Sequence, residues 1–386
     1  MRYVMHSRIS GILLDGLKGL SLSILLAGCL GSESTTTTTG VTSESSSSST
    51  VERTRGAVPN RWTSRTDSNY TVGEDAYYND RMTTGMDAID APEAWSQHSD
   101  CQTIKVGVID SAIDVAHPDL VDNVIFGWDE VGYDYDPSPP GYDSLSQEAR
   151  YMDNRDVHGT HVAGIVAAVG NNTIGVPGMC WTASIVAMKA LDGRYGYVSD
   201  IIEAIEYADQ QGVRIINGSW GVSAHVQSLY DAMASRPHIL FVVSAGNNGQ
   251  NIDSLSYSPS TFSRSLPNVI SVASAQINGS SISLSYFSNY GTSTVSIAAP
   301  GSNIISTIPK SCDRSTGACS EYASLSGTSM AAPMVTGAAA LIWSDNPSLG
   351  AQDVKAALLG DATTPAGNPF SGTVENGRLM NIGNSF

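Results

Sequence analysis

Short, almost continuous apolar runs recur along the chain and constrain its fold more than any other feature. The runs lie at residues 105–110, 185–188, 213–217, 239–244, 269–273 and 295–299. Helical stretches, 162–168 and 199–211 among them, fall between several of these runs. Strands that are apolar on both faces and alternate with helices are typical of a parallel sheet covered on both sides. The pattern therefore predicts an α/β fold in three layers, with a mostly parallel central sheet and helices on both faces.

The excess of acidic over basic residues limits which classes of molecule the protein can bind. The 386-residue chain carries 37 acidic against 20 basic residues, for a net charge of −17. Proteins that bind nucleic acid neutralise its phosphates with Lys and Arg, so we expect no nucleic-acid partner. An acidic composition is instead compatible with sites for hard cations such as Ca²⁺.

Residues 1–29 have the composition of an export signal. Three basic residues precede or flank a short apolar core at 20–27, which is too short to span a membrane. Residues 26–29, Leu-Ala-Gly-Cys, resemble the lipobox of bacterial lipoproteins, whose cysteine is lipidated and becomes the mature N-terminus. That resemblance implies an exported protein anchored through Cys29 to a bacterial membrane, facing the periplasm or the exterior. The alternative is an ordinary signal peptide with a chance cysteine, which would give a secreted protein.

Residues 30–80 are predicted to be a flexible tether. Between residues 32 and 50, 15 of 19 positions are Ser or Thr. Such a segment has too little apolar surface to offset the entropy that is lost on ordering. The chain is therefore expected to have three parts: a signal with a lipobox at 1–29, a tether at 30–80 and one folded domain at 81–386.

Polar residues follow several of the apolar runs directly. Asp110 closes the first run, Asn217 and Ser219 follow a later one, and Asn247 comes just after the run at 239–244. In open α/β sheets, ligands bind beyond the carboxyl ends of the strands. These side chains are therefore candidates for one shared site.

The octapeptide Ser-Gly-Thr-Ser-Met-Ala-Ala-Pro at residues 326–333 opens a run of small and apolar residues that predicts a buried helix. Gly327 permits a sharp turn, and Pro333 is tolerated near the first helical turn. Ser329 would then lie at a helix N-terminus, beside unpaired N–H groups. Gly-Thr-Ser alone is typical of a helix cap. The full octapeptide resembles the nucleophile motif of the subtilisin-like serine proteases, the subtilases.

Two further segments resemble motifs of the same family. The run that ends in Asp110 resembles its aspartate motif, and His-Gly-Thr-His at 158–161 resembles its histidine motif, whose first histidine is catalytic. The resemblance implies a triad of Asp110, His158 and Ser329. In such a triad the imidazole takes the serine proton and later protonates the leaving amine, while the aspartate fixes the imidazole tautomer. Paired histidines can also bind a metal ion, but no third soft ligand lies near this pair in sequence.

Asn247 lies in the Gly-rich segment 245–249, where an asparagine normally serves to form the turn. This segment resembles the family's Ala-Gly-Asn segment. The resemblance implies that the Asn247 amide donates a hydrogen bond to the oxyanion of the tetrahedral intermediate, with the main-chain N–H of Ser329 as the second donor.

Ser219-Trp220-Gly221 and Ser244-Ala245-Gly246 resemble the two backbone segments that flank the first specificity pocket of subtilases. Their small residues leave main-chain groups open to pair with an extended polypeptide, a form of strand addition. The substrate is then an unfolded or looped polypeptide. An apolar or broad side-chain preference is expected, because neither segment is acidic. Trp220 stands where the family usually has an aliphatic residue, and it either lines the pocket or packs in the core.

Two other stretches resemble calcium-binding segments of subtilases. Residues 114–119 match a segment whose last aspartate is a ligand, and residues 170–176 match the ion-binding loop. Oxygen-only ligation suits Ca²⁺ rather than zinc, and an ordinary surface loop is the alternative. By the resemblance, a structural Ca²⁺ would be held by the side chains of Asp119 and Asn172 and by the carbonyl oxygens of Gly170, Ile174 and Val176.

Four cysteines remain besides Cys29, and in an exported chain they can form two disulfides in three ways. Cys312 and Cys319 enclose a short polar loop, which favours their pairing. Cys101 and Cys180 would then be partners. By the resemblance, the strands that follow them are parallel neighbours in the subtilase sheet.

The resemblance covers about residues 80–386 and implies a subtilisin-like serine endopeptidase, which we expect to be a monomer. The chain departs from the family at Ala112, where a glycine is usual, and no folded pro-domain is visible before residue 80. Two alternatives stay open. One is a processing protease dedicated to a single partner protein, and the other is a catalytically silent surface lipoprotein that captures peptides.

Overall fold

The computed structural model describes residues 25–26, 85–139, 156–312, 319–383 and 385–386. The predicted lipidation site Cys29 and the tether at 30–80 lie outside the described residues, as does most of the export signal.

The strands, in chain order, are β1 (Leu25–Leu26), β2 (Asp100–Asp110), β3 (Val124–Asp129), β4 (Thr182–Lys189), β5 (Leu191–Asp192), β6 (Tyr195–Gly196), β7 (Ile215–Gly218), β8 (Trp220–Gly221), β9 (Leu240–Ser244), β10 (Val269–Asn278), β11 (Ser281–Leu284), β12 (Ile297–Pro300), β13 (Ile304–Cys312) and β14 (Cys319–Leu325). The α-helices are α1 (Ala91–Trp95), α2 (Val157–Ala167), α3 (Val198–Gln210), α4 (Gln227–Ala234), α5 (Thr328–Asp345) and α6 (Ala351–Asp361). Short 3-10 helices lie at Ser260–Arg264 and Glu375–Gly377.

The central sheet has eight strands in the order β11-β10-β9-β7-β2-β4-β3, with β12 beside β10. Its neighbouring strands run parallel, except that β11 is antiparallel to β10. The mostly parallel sheet predicted from the apolar runs is therefore confirmed. Because β2, β7 and β9 run in one direction side by side, the polar residues that follow them are brought to one edge.

Both faces of the sheet are covered by helices, as predicted. On one face, α2, α5 and α6 pack against alternate strand residues such as Val106, Val108 and Leu240. On the other, α3 and α4 pack against Ile109, Phe241 and the strand residues beside them. This alternation follows from the strand period of two, and apolar residues on both sides are the reason the runs read as continuous.

Helix α5 lies inside the protein, with nearly every residue from Thr328 to Ser344 buried. Small side chains allow this close packing: a Cβ on Gly337 would lie 2.3 Å from the Met179 Cβ. Pro333 is the sixth residue of the helix and lies in the second turn, so it removes the hydrogen bond that residue 333 would donate to the Ser329 carbonyl oxygen. That oxygen accepts from Ser219 Oγ at 3.0 Å instead. The buried helix predicted after residue 326 is therefore present, and it delivers Ser329 to the carboxyl edge of the sheet.

Three antiparallel strand pairs lie outside the central sheet in the described part of the chain. Strands β13 and β14 form a hairpin, β5 pairs with β6, and β1 pairs with β8. Among the described residues, no helix combines the length and the apolar character that crossing a membrane requires.

Cys101 and Cys180 form the predicted disulfide, with their Cα atoms 5.8 Å apart. Cys101 lies at the start of β2, and Cys180 shortly precedes β4, its parallel neighbour. Cys312 and Cys319 lie opposite one another in the β13–β14 ladder. Their pairing stays a prediction, because their side chains lie outside the described part of the chain.

Candidate active site

Asp110 ends strand β2 and is fully buried. Its Oδ1 accepts hydrogen bonds from the Ser111 main-chain N–H at 2.7 Å and from His158 Nδ1 at 2.7 Å. Because the carboxylate accepts, the proton of a neutral His158 is held on Nδ1, which leaves Nε2 as the basic atom. The structure thus brings together two of the residues that the sequence motifs single out.

His158 reaches Asp110 because helix α2 begins very close to the loop that follows β2. A Cβ on Gly159 would lie 2.6 Å from the Ser111 carbonyl oxygen and 2.7 Å from that of Ala112. The Gly159 N–H also donates to Ser111 Oγ at 3.0 Å. Only glycine fits this contact, which explains why the histidine is followed by glycine. The departure at Ala112 is tolerated, since its carbonyl oxygen makes the contact.

Ser329 lies in the first turn of α5, on the same edge of the sheet. Its Oγ donates to the Ser219 carbonyl oxygen at 3.2 Å, and Ser219 Oγ donates to the Ser329 carbonyl oxygen at 3.0 Å. His158 Nε2 is buried and accepts no hydrogen bond from the residues the structure describes. The serine hydroxyl and the imidazole are therefore not hydrogen-bonded in this state. A hydrogen bond between a base and the group whose proton it takes is often long in a structure without substrate and tightens when substrate binds.

Asn247 is held by the start of α5. Its Oδ1 accepts from the main-chain N–H and from the hydroxyl of Thr328, each at 2.9 Å. With the carboxamide oxygen bonded to Thr328, the amide nitrogen lies beside Gly327. A Cβ on Gly327 would lie 3.1 Å from this nitrogen, so the backbone passes close beside it. Thr328 was not singled out from the sequence, although its place next to Ser329 could have drawn attention to it.

Trp220 packs in the core. Its side chain is 2% exposed, and its Nε1 donates to the Ile109 carbonyl oxygen at 2.9 Å. The indole belongs to the apolar layer beneath α3 and α4. This position favours packing in the core, the second of the two roles that the sequence leaves open for Trp220. The hydroxyl of Ser244 is also buried, and it has no partner among the described residues.

Tyr257 lies between the two segments that the sequence assigns to substrate. A Cβ on Gly221 would lie 2.6 Å from its Cε1, and a Cβ on Gly246 would lie 2.7 Å from its Cζ. The ring is 6% exposed, and burial raises the pKa of its hydroxyl to about 12. Sequence reasoning missed this residue, because it lies in a loop that carries no recognisable motif.

The predicted calcium segments meet at Asp119, which is fully buried. Its carboxylate accepts from Asn172 Nδ2 at 2.7 Å, from the Val176 N–H at 3.1 Å and from the Tyr322 hydroxyl at 3.2 Å. Asn172 Oδ1 accepts from the Ile174 N–H at 3.0 Å. The amide nitrogen of Asn172, rather than its oxygen, thus faces the carboxylate. The loop is irregular, with positive φ at Asn171, Thr173 and Gly175.

His161 is fully buried and has a structural role. Its Nε2 lies 3.1 Å from the Ile304 carbonyl oxygen and 3.0 Å from that of Ala323. Since both partners are acceptors, Nε2 carries the proton, and the ring ties α2 to the β13–β14 hairpin. Burial is the main cause that lowers the pKa of His161 to about 3, so the ring is neutral. Across the described ranges, no group of three or more His, Cys, Asp or Glu side chains is arranged to hold a metal ion.

Comparison of the sequence with known proteins shows similarity to one protein family. The pattern of the Subtilase family matches residues 102–377. A thermophilic serine proteinase from Bacillus sp. (strain AK1) is 40% identical over 252 residues, which are 64% of this chain and 54% of that protein. Thermitase from Thermoactinomyces vulgaris is 37% identical over 287 residues, 74% of this chain and 89% of thermitase. The chain thus spans about half of the first relative and most of the second.

Solved structures of similar fold belong to proteins related to the same family. Fervidolysin from Fervidobacterium pennivorans, described as a keratinolytic enzyme related to subtilisin, matches with a TM-score of 0.66 and 26% identity, covering 81% of this chain and 46% of that chain. A protease from Pseudoalteromonas arctica PAMC 21717 matches with a TM-score of 0.65 and 26% identity, covering 82% and 98%. The fold, the family pattern and the relatives lead to one conclusion: the chain belongs to the subtilase family of serine endopeptidases.

Proposed function

We propose that the chain hydrolyses peptide bonds through a triad of Ser329, His158 and Asp110. The observation that carries this proposal is the 2.7 Å bond between Asp110 Oδ1 and His158 Nδ1, at the sheet edge where α5 begins. That bond holds the proton on Nδ1, so that Nε2 can act as a base. In the same first turn of α5, Ser329 supplies the hydroxyl.

The reaction proceeds in two halves. Ser329 Oγ attacks the scissile carbonyl carbon while its proton passes to His158 Nε2, and the Asp110 carboxylate stabilises the imidazolium. The oxyanion accepts hydrogen bonds from Asn247 Nδ2 and from the Ser329 main-chain N–H. The C–N bond then breaks, and His158 gives its proton to the amine. Water attacks the acyl-enzyme by the same route, which releases the acid and restores the serine.

The substrate is an extended polypeptide that pairs with main-chain groups of the two segments 219–221 and 244–246. Strand β8 lies in the first of these segments, and in this structure it pairs antiparallel with β1 of the same chain. This edge is thus able to accept an extended strand. Tyr257 fills space between Gly221 and Gly246, where a substrate side chain would enter. We therefore expect small or medium-sized apolar side chains to be preferred there.

A structural Ca²⁺ is part of the proposal. With the Asn172 amide turned so that its oxygen replaces the nitrogen now facing Asp119, Asp119 and Asn172 would join the carbonyl oxygens of Gly170, Ile174 and Val176. These are all oxygen ligands around one irregular loop, which is the donor set that calcium prefers. The buried Asp119 carboxylate is the charge that the ion would balance. When bound, the ion would tie the loop to the segment before β3. It would not take part in the reaction.

Attachment through a lipid is the third part. The support is the Leu-Ala-Gly-Cys sequence at residues 26–29 behind an apolar core. Lipidation of Cys29 would place the protease on a bacterial membrane, facing the periplasm or the exterior. Replacing Cys29 with Ser should then move the protein from the membrane fraction to the soluble fraction.

Intact-mass analysis after fluorophosphonate treatment tests the triad. We expect one adduct on the wild-type protein, mapped to Ser329, and none on Ser329→Ala. No adduct on folded, calcium-loaded protein would contradict the triad and favour a peptide-binding lipoprotein. An adduct without cleavage of general peptide substrates would indicate a processing protease with one dedicated partner.

A further inference from the structure

We infer that Asn289 is a positioning residue that holds the oxyanion donor Asn247 in place. Asn289 lies between β11 and β12 and is fully buried. Its Nδ2 donates to the Ala245 carbonyl oxygen at 2.9 Å, and its Oδ1 accepts from the N–H groups of Asn248 at 3.1 Å and Gln250 at 3.0 Å. The Asn289 side chain is thus hydrogen-bonded to the main chain of the 245–250 loop both before and after Asn247.

The main chain of Asn289 adds a further hydrogen bond to this loop. Its N–H donates to the Gly246 carbonyl oxygen at 2.8 Å. The approach is so close that a Cβ on Gly246 would lie 2.5 Å from Asn289 Nδ2. Gly246 has a φ of 98°, which other residues rarely adopt. Backbone conformation and close contact therefore both require glycine just before Asn247.

Asn247 is fixed from two directions. Thr328 holds the oxygen of its carboxamide, while Asn289 holds the main chain before and after it. The Asn289 contacts need one donor and two acceptor positions in the same group. An amide supplies both, whereas a carboxylate lacks the donor and an aliphatic side chain lacks all three. The choice of asparagine at this position follows from that requirement.

The consequence is catalytic, and it rests on the proposed function. An oxyanion donor acts only when it is placed within hydrogen-bond reach of the developing charge. Loss of the Asn289 side chain would leave a carbonyl and two N–H groups of the loop without their buried partner. The loop would relax, and Asn247 Nδ2 would lose its fixed position. Transition-state binding should then weaken more than binding of the ground state.

Two inhibitors of one sequence separate these effects. A peptide aldehyde forms a tetrahedral adduct with the Ser329 oxygen and so develops an oxyanion, whereas the matching peptide alcohol forms none. In Asn289→Ala, the inhibition constant of the aldehyde should rise by about tenfold or more, and that of the alcohol by less than about threefold. Asn289→Asp, which keeps the acceptor oxygen, should fall between Asn289→Ala and wild type, and it provides a second variant if the first does not fold.

Asn268 offers a matched control. It is also a buried asparagine, and its Nδ2 donates to the carbonyl oxygens of Arg236 and Ile239 at 3.0 Å each, in the connection between α4 and β9. Asn268→Ala should lower the thermal stability but leave the ratio of aldehyde to alcohol inhibition unchanged. A change of that ratio in both variants would mean that any lost buried amide has this effect.

A double-mutant cycle completes the test. If Asn289 acts through Asn247, then adding Asn289→Ala to Asn247→Ala should lower kcat little further. Fully multiplicative losses, or equal weakening of aldehyde and alcohol, would overturn the inference and leave Asn289 a purely structural residue. Failure of the proposed function looks different, because the wild-type protein would then neither bind the aldehyde covalently nor react with a fluorophosphonate.

Discussion

Thr328 donates two hydrogen bonds to the carboxamide oxygen of Asn247, one from its main-chain N–H and one from its hydroxyl. The same hydroxyl accepts from the Gly246 N–H at 3.1 Å. Thr328→Val should therefore lower kcat by about tenfold, since the hydroxyl that orients the oxyanion donor is lost, whereas Thr328→Ser should stay close to wild type. Steady-state kinetics of the two variants checks this. Equal activity of the Val and Ser variants would show that the hydroxyl is dispensable.

Asn247→Ala removes the proposed oxyanion donor itself. We expect a fall in kcat of about 10²–10³ with a folded protein and residual activity, because the Ser329 N–H remains as a donor. Ser329→Ala should abolish the covalent chemistry altogether. The measurement is kcat on a peptide p-nitroanilide, with circular dichroism as the control for folding. Turnover of Asn247→Ala equal to that of wild type would rule out the oxyanion role.

Tyr257→Ala should change the substrate preference. Removal of the ring opens space between Gly221 and Gly246. The ratio of kcat/KM for a substrate with Phe just before the scissile bond to kcat/KM for the same substrate with Ala there should therefore rise by about tenfold. Tyr257→Phe keeps the ring and should keep the wild-type preference. A matched pair of peptide substrates, measured on all three proteins, gives the ratio. If that ratio is the same in all of them, Tyr257 does not limit the pocket.

Excess chelator should lower the melting temperature if Asp119 and its loop hold Ca²⁺. A ligand that binds only the folded state stabilises it by mass action. The stabilisation should return when Ca²⁺, but not Mg²⁺, is added back, because the donor set suits the larger ion. Asp119→Asn should melt lower and lose its response to chelator. Calorimetry with and without chelator measures the melting temperatures. An unchanged melting temperature of the wild-type protein would count against the calcium site.

The buried imidazole of His161 should make the free energy of unfolding of the protein fall in acid. Unfolded protein binds a proton at this imidazole below about pH 6.5, whereas in the folded protein its pKa is lowered to about 3 by burial. Stability from this group is therefore present above pH 6.5 and is lost as the pH falls toward 3, by at most about 1.4 kcal/mol per pH unit. His117, whose pKa is also lowered by burial, adds a change of the same sign.

The variant His161→Gln isolates the His161 part. Its amide can still donate to a carbonyl oxygen, but it does not titrate. Between pH 6.5 and pH 4 its stability should depend less steeply on pH than that of the parent. Denaturant unfolding of both proteins in the Ser329→Ala background measures the two slopes. Identical slopes would mean that protonation of His161 is not coupled to unfolding.

Much of the fold was predictable because the strands near Ile109 and Val242 are apolar on both faces and so stand out in the sequence. Their ends were harder to predict: β2 begins at Asp100 rather than near residue 105, and β7 begins at Ile215 rather than at 213. The hairpin of β13 and β14 was not predicted, since its strands lack such a run.

The candidate site also has residues that the sequence predicts and residues that it does not. Asp110, His158, Asn247 and Ser329 lie in motifs and at strand or helix ends, so that local patterns reveal them. Asn289 was missed because its contacts are with residues about 40 positions away, such as Ala245 at a separation of 44. No local pattern encodes such a contact.

The Cys101–Cys180 disulfide joins the starts of two adjacent central strands, at the edge opposite to Asp110. A protease in solution is surrounded by copies of itself, and each copy can cut only chain that has opened. Cleavage of this kind follows the population of locally unfolded states. By linking β2 to the segment before β4, the disulfide makes opening there depend on both strands. We therefore expect the disulfide to slow autolysis of the proposed protease, and to do so from the edge of the sheet opposite to the proposed triad.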